Sequence, residues 1–139
     1  MALQFEMSAV IPASAAELYE AWLDSAGHSA MTGGAAETSA EPGGRFTAWD
    51  GYIQGRNLEL EPPRRIVQSW RTAEFEQSEP DSRLEVLFEP AEGGTRLTIR
   101  HTNLPAHGGQ YEQGWVDNYF EPMKRYFQPA QRPTPPLDD

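Results

Sequence analysis

The stretch GWVDNYFEPMKRYF, residues 114–127, has the spacing of a helix with one aromatic face. Residues four apart lie on the same side of an α-helix. The large side chains with this spacing are Trp115, Tyr119, Met123 and Phe127. Tyr126 is expected to widen this face, and Pro122, which lacks a backbone donor, is expected to kink the helix. The pattern predicts a helix over residues 110–127 that covers another layer of the protein.

The chain before this helix alternates apolar and polar residues, as strands with one buried face do. The predicted strand segments are LQFEMSAVI, RFTAWDGYIQGRNLELEPP with a turn at Asp50-Gly51, RRIVQSWR, RLEVLFEP and TRLTIRHT. Ser14 and Glu17 form a capping-box pattern for a helix that contains Leu18 and Trp22. Residues 25–44 are small and Gly-rich, which indicates mostly loop with a short helical turn and a short strand near 35–40.

This order of elements predicts an α+β fold in which a curved antiparallel β-sheet wraps around the long C-terminal helix. The expected inward-facing residues of the sheet are Phe46, Leu58, Ile66, Trp70, Leu84, Val86, Phe88, Leu97 and Ile99. The chain has 139 residues, which is the length of one domain. We assign the domain to residues 1–128 and a loosely attached Pro-rich tail, PAQRPTPPLDD, to residues 129–139.

Composition excludes several classes of function. The net charge of −10 argues against nucleic acid and anionic membrane as partners, because both need a basic surface. No stretch has the roughly 20 apolar residues that span a bilayer. The chain contains no cysteine, and its first residues do not resemble a signal peptide, so we expect a cytoplasmic protein.

Three segments together resemble a known superfamily. These are DGYIQGRNLELEPPRRIVQSWR, SRLEVLFEPAEGGTRLTIRHTNLP and GWVDNYFEPMKRYF. They are similar to the START-like (SRPBCC) superfamily with the helix-grip fold, and within it to the C-terminal domain of the activator of heat-shock protein 90 ATPase. The resemblance runs from about residue 3 to residue 127. Many relatives have a tryptophan after the first helix, whereas Met31 and Thr32 stand there in this chain.

The residues offer little sign of catalysis. His28, His101 and His107 are not at metal-ligand spacing, so we expect no metal. No Gly-rich segment joins a strand to a helix, so we expect no cofactor held by a phosphate cradle. No residue set supports an enzyme. Since START-like relatives include cyclases and dehydratases, an activity of that kind is kept as the second alternative.

Six residues are candidates for contact with a ligand between the sheet and the last helix. They are Arg56, Trp70, His101, Trp115, Tyr119 and Met123. His101 is in phase with Leu97 and Ile99, so it should point inward, either as a polar anchor or acid/base group of a pocket or as a buried structural histidine. Arg56 and Gln54 either face inward toward a ligand or stand at the sheet rim. The rings of the helix either line a pocket or fill the core.

Two functions from different classes follow. The first is a small domain that binds an apolar or aromatic molecule between sheet and helix. The alternative, implied by the resemblance, is a chaperone cofactor or a stress-related interaction protein. The eukaryotic activator has an additional N-terminal domain that this chain is too short to contain, so we expect no strong stimulation of the chaperone by this domain alone. The protein is expected to be a monomer or a homodimer.

Overall fold

A computed structural model describes residues 3–127 and contains one antiparallel sheet of six strands. The strands are β1 (Leu3–Ile11), β2 (Arg45–Ala48), β3 (Ile53–Glu61), β4 (Arg65–Thr72), β5 (Ser82–Ala91) and β6 (Gly94–Leu104). Their order in the sheet is β1-β6-β5-β4-β3-β2. The predicted α+β class, with a curved sheet covered by a C-terminal helix, is confirmed. The predicted tail of residues 129–139 lies outside the described residues.

Helices cover one face of this sheet. They are α1 (Ala15–Leu23), α2 (Ser25–Thr32), α3 (Gln110–Trp115), a π-helical segment (Val116–Phe120) and α4 (Glu121–Phe127), the last three forming one continuous helix. The predicted capping box starts α1. The backbone N–H of Glu17 donates to Ser14 Oγ at 3.1 Å, and the N–H of Ser14 donates to Glu17 Oε1 at 3.1 Å. Two otherwise unpaired donors at the helix start are thereby satisfied.

Helix α2 is longer than the sequence suggested. Only a short helical turn was expected in this region, but eight residues are helical. Asp24 caps the helix by accepting a hydrogen bond from the N–H of Gly27 at 2.7 Å, and Gly33 ends it with a φ of +87°. The residues it buries, His28, Met31 and Thr32, are spaced by three and four, but only one is apolar, so the periodic signal was weak.

The C-terminal helix has the expected apolar face, except that one residue expected on it is exposed and another residue is buried. Trp115, Tyr119 and Met123 are buried, but Tyr126 is 51% exposed, so the expectation that it widens this face was wrong. Phe120 is buried in its place. The kink expected at Pro122 stays a prediction, and the helix contains a π-helical turn, Val116–Phe120, that ends two residues before this proline.

A β-bulge changes the phase of β3. The pairing of β3 with β4 shifts register between Asn57 and Glu59. Ile53 and Asn57 therefore face the helices before the bulge, and Leu60 packs against the core after it. Leu58, expected inside, is 50% exposed. The other eight residues expected to face inward are buried.

Within residues 3–127, no helix or strand packs on the opposite face of the sheet, which carries many charged side chains. This arrangement is common for antiparallel sheets, which can leave one face in water. No helix within residues 3–127 is long and apolar enough to cross a membrane.

Candidate functional site

A cavity of about 210 Å³ lies between the β2–β3 hairpin and the C-terminal helix. Most of its wall is aromatic. The lining residues are Trp49, Tyr52, Ile53, Trp70, Tyr111, Gly114, Trp115, Asn118 and Tyr119. Tyr52 and Asn118 are exposed and lie at the solvent side. The cavity is therefore a ring-lined recess that a small apolar molecule can enter from one side.

Three of the six candidate residues line this cavity, namely Trp70, Trp115 and Tyr119. Met123 and His101 are fully buried deeper in the core and do not line it. Arg56 lies on the opposite face of the sheet together with Gln54, so of the two positions considered for them, inward or at the sheet rim, the inward one is wrong. The reason is the strand phase, since Ile53 and Asn57 take the inward positions of β3.

Trp49, which sequence reasoning missed, forms the wall contributed by the hairpin turn. Trp49, Asp50 and Gly51 have φ values of +53°, +59° and +88°, so three successive residues are left-handed. The Trp49 ring lies against Gly34, where any side chain would overlap it. The glycine after α2 therefore makes room for a cavity wall. The sequence signal that could have identified this residue was the position of a tryptophan directly before the Asp50-Gly51 turn.

His101 is held between a strand and the C-terminal helix. The indole N–H of Trp115 donates to His101 Nδ1 at 3.1 Å, so the ring proton is on Nε2, which lies 2.8 Å from Ser82 Oγ. Ser82 in turn donates to the carbonyl of Trp70 at 2.6 Å. Burial lowers the pKa of His101 to about 3, so the ring is neutral at physiological pH. This is the geometry of a structural histidine that fixes the Trp115 ring.

His28 supports the cavity wall from the other side. Its Nδ1 lies 2.9 Å from the carbonyl of Trp22, which can only accept, so Nε2 accepts from the Tyr119 hydroxyl at 2.8 Å. Burial lowers the pKa of His28, while the bond to the Trp22 carbonyl opposes that shift. Burial also raises the pKa of Tyr119 well above its usual range. Both groups are neutral, and together they hold the Tyr119 ring in place.

The aromatic rings behind the cavity are packed against one another. Trp22 and Trp115 are stacked with centroids 6.2 Å apart, and Trp70 lies 5.9 Å from Trp115. Trp115 and Tyr119 are 4.7 Å apart. Rings at these separations attract each other beyond their burial. The wall is therefore largely preformed.

Polar groups cluster at the solvent side of the cavity. The Tyr52 hydroxyl donates to Glu74 Oε2 at 2.9 Å, and Gln110 Nε2 donates to Glu74 Oε1 at 3.0 Å. Burial, reinforced by the bond to Glu74, raises the pKa of Tyr52 to about 12. Within residues 3–127, no group of three His, Asp or Glu side chains is placed to hold a metal ion.

Residues 12–128 match the family model described as activator of Hsp90 ATPase homolog 1-like protein. The chain belongs to this family. The resemblance seen in the sequence is thereby confirmed. Human activator of 90 kDa heat shock protein ATPase homolog 1 is 30% identical over 112 residues, which cover 80% of this chain and 33% of the human protein. The chain thus spans about a third of the length of this curated relative.

Solved structures of other proteins have the same fold. An HSP90 activator from Plasmodium falciparum superposes with a TM-score of 0.76 and is 26% identical, covering 86% of this chain and 91% of that one. The Aha1 dimer from Colwellia psychrerythraea superposes with a TM-score of 0.75 at 13% identity, covering 91% of this chain and 97% of that one. At this identity the Colwellia structure shows the shared fold alone.

Proposed function

We propose that this family member binds a small, flat, apolar molecule in the cavity between the β2–β3 hairpin and the C-terminal helix. The observation that carries the proposal is the ring-lined recess of about 210 Å³. Ligand sites are typically concave and mostly apolar, with a few polar groups that fix orientation. Here the polar groups at the solvent side are Tyr52 and Asn118.

The volume limits the size of the ligand. An engineered apolar cavity of about 150 Å³ holds benzene. A recess of about 210 Å³ therefore suits a molecule of one or two fused rings, with any polar substituent directed toward solvent. Sterols and long lipids are too large for it.

The wall is suited to binding rather than to catalysis. His28 and His101 are neutral and have both ring nitrogens engaged, so neither has a free nitrogen with which to move a proton for a ligand. The hydroxyl of Tyr119 is likewise committed to His28. A cyclase or dehydratase would need an acid or a base directed at the ligand.

Titration with the neutral two-ring fluorophore 1-naphthylamine, which is within the size limit of the cavity, tests the proposal. We expect saturable binding by the native chain. Gly114 lines the cavity, and a Cβ there would have only Asn118 Nδ2 nearby, at 3.9 Å. Gly114→Leu therefore places a side chain in the cavity and should weaken binding at least about tenfold, which corresponds to about 1.4 kcal/mol.

Gly114→Ala is the matched control. It adds one methyl group, favours the helix by roughly 0.5–1 kcal/mol and should leave most of the binding intact. Absence of saturable binding by the native chain would overturn the proposal. Equal binding by the native chain and Gly114→Leu would place the probe elsewhere and overturn it too.

Chaperone binding is the second candidate, favoured by the family and by the names of the relatives. The chain spans about a third of the human relative, so the activity named for that whole protein is carried over only as a proposal. A chaperone cofactor would work in the cytoplasm, as the lack of cysteine also favours.

A steady-state ATPase assay with the 90-kDa heat-shock protein of the same organism tests this candidate. We expect less than about a twofold increase in turnover with the chain alone, because most of the length of its relatives is not represented in it. A saturable several-fold increase would make chaperone activation the primary function. Repeating the assay with Gly114→Leu separates the two candidates, since that variant is altered only in the cavity.

A further inference from the structure

On the outer face of the sheet, the face opposite the helices, arginines form ion pairs with carboxylates across most of the strands. Arg65 contacts Glu85 at 2.6 Å and Glu59 at 2.8 Å, and Arg100 contacts Glu85 and Glu6 at 3.0 Å. This network crosses from β3 to β1. Each of its arginines therefore already has carboxylate partners.

Arg45 and Arg56, at the β2 end of the same face, have no such partners. They are directly opposite each other in the β2–β3 ladder. Among residues 3–127, no carboxylate lies within 4.0 Å of either guanidinium. Arg56 reaches only the carbonyl of Gly43, at 3.4 Å. Like charges directly opposite each other destabilise a sheet, and the described residues place no carboxylate beside this pair.

A groove of about 180 Å³ lies at this pair of arginines. Its lining includes Arg45, Arg56, Ser69, Arg71 and Asp81. Arg71 is held by Asp81 at 2.7 Å and by the carbonyl of Glu79 at 3.0 Å. The groove thus contains three arginines and one carboxylate, although the chain as a whole has a net charge of −10.

Neighbouring side chains leave the two guanidinium groups accessible. Ser69 uses its hydroxyl to accept the backbone N–H of Arg56 at 3.0 Å and so fixes the strand rather than the side chain. The backbone of Glu37 pairs with that of Thr47 at the outer edge of β2, and the Glu37 carboxylate forms no ion pair with Arg45. Both arginines are exposed.

We propose that this groove binds a short acidic segment of a partner protein, with carboxylates received by Arg45 and Arg56. A guanidinium presents a planar pair of donors that matches a carboxylate. Two guanidiniums on facing residues of neighbouring strands provide two such sites side by side. A long polyanion such as nucleic acid is disfavoured because the rest of the acidic surface repels it. The proposal does not depend on the cavity, which lies on the other face of the sheet.

Fluorescence anisotropy with a fluorescein-labelled hexaglutamate peptide tests this inference. We expect saturable binding that weakens as salt is raised, since screening acts on exposed charges. The double variant Arg45→Gln/Arg56→Gln should bind at least about tenfold more weakly. The control Arg64→Gln/Arg96→Gln makes the same change in net charge at two exposed arginines outside the groove and should bind as the native chain does.

Each other outcome would overturn the proposal. Equal losses in the two double variants would mean that only net charge matters. Tighter binding of an oligothymidylate, lost in the groove variant, would assign the groove to nucleic acid. Amide chemical-shift changes in the native protein on adding hexaglutamate must centre on β2 and β3, which checks the site even if a variant folds poorly. Shifts centred elsewhere would contradict the assignment.

Discussion

The two buried histidines link folding to pH. His101 and His28 are neutral in the folded protein, and burial lowers the pKa of each below its usual value of about 6.5. Below that value the unfolded chain binds protons at both positions more readily than the folded protein does. Their contribution to stability is therefore fully present above about pH 6.5 and is lost as pH falls toward the folded pKa, which for His101 is about 3.

The free energy of unfolding should fall as pH is lowered from about 6 to 5. The expected slope is about 1.4 kcal/mol per pH unit for each histidine that gains a proton on unfolding, and carboxylates stay largely ionised in this range. Urea denaturation at several pH values measures it. His101→Gln should reduce the slope by about 1.4 kcal/mol per pH unit, whatever its effect on absolute stability.

His107→Gln is the control for this measurement. His107 is exposed, and its hydrogen bond with Glu79 raises its pKa. Its contribution is present below about pH 6.5 and is lost as pH rises through the raised value, so it changes little between pH 6 and 5. The slope there should equal that of the native chain. A native slope near zero would contradict the buried neutral histidines.

At the scale of the elements, the geometry of the C-terminal helix explains why its buried side chains recur at every fourth residue. In an α-helix, residues four apart drift around the axis by about 40° at each step. The wider π-helical turn of Val116–Phe120 takes up an extra residue and reduces this drift. Trp115, Tyr119 and Met123 therefore stay on one face over the whole helix. Pro122 lies two residues after this turn, and its ring would clash with the carbonyl four residues earlier in a regular α-helix.

The α2 helix and the β2–β3 hairpin meet at Gly34, and a substitution there should disturb the cavity. A Cβ on Gly34 would overlap the Trp49 ring, so the ring must move. Gly34→Ala should lower the free energy of unfolding by about 1–3 kcal/mol, the usual cost of overpacking, and change probe affinity because Trp49 lines the cavity. Chemical denaturation and the fluorophore titration measure the two effects.

Gly109→Ala serves as the matched control. Its backbone has a φ of −61°, and a Cβ there would meet nothing within 4 Å. We expect stability and probe affinity close to native. If Gly34→Ala behaved like Gly109→Ala, the close contact between Gly34 and Trp49 would not exist in solution.

At the scale of the whole molecule, the order of elements and the covered face of the sheet followed from the sequence. Alternation identified the strands, and the capping box and the fourth-residue spacing identified two helices. The misplacement of Leu58 came from the bulge in β3, since one extra residue reverses the phase and leaves no mark in composition. Arg56 was expected to face inward because the inward positions of β3 were counted from Tyr52, whereas they start at Ile53.

The lining residues of the candidate site could be predicted from the sequence only where they lie on the C-terminal helix or on β4. Trp70, Trp115 and Tyr119 were found because periodicity placed them toward the interior. Trp49 and Tyr52 belong to a turn, whose side-chain directions depend on backbone angles rather than on a repeat. The partners of His101 are on other elements, so no local pattern indicated that its ring is saturated.

The packing of the rings also gives the protein an optical signature. All four tryptophans lie in or directly behind the cavity wall, and the Trp22 and Trp70 rings each lie about 6 Å from the Trp115 ring. Indole transitions at this separation couple, so the near-ultraviolet circular dichroism of the folded protein should be unusually strong. Its intrinsic fluorescence comes from the same place. An unlabelled occupant of the cavity would therefore report its arrival in the spectrum of the native chain.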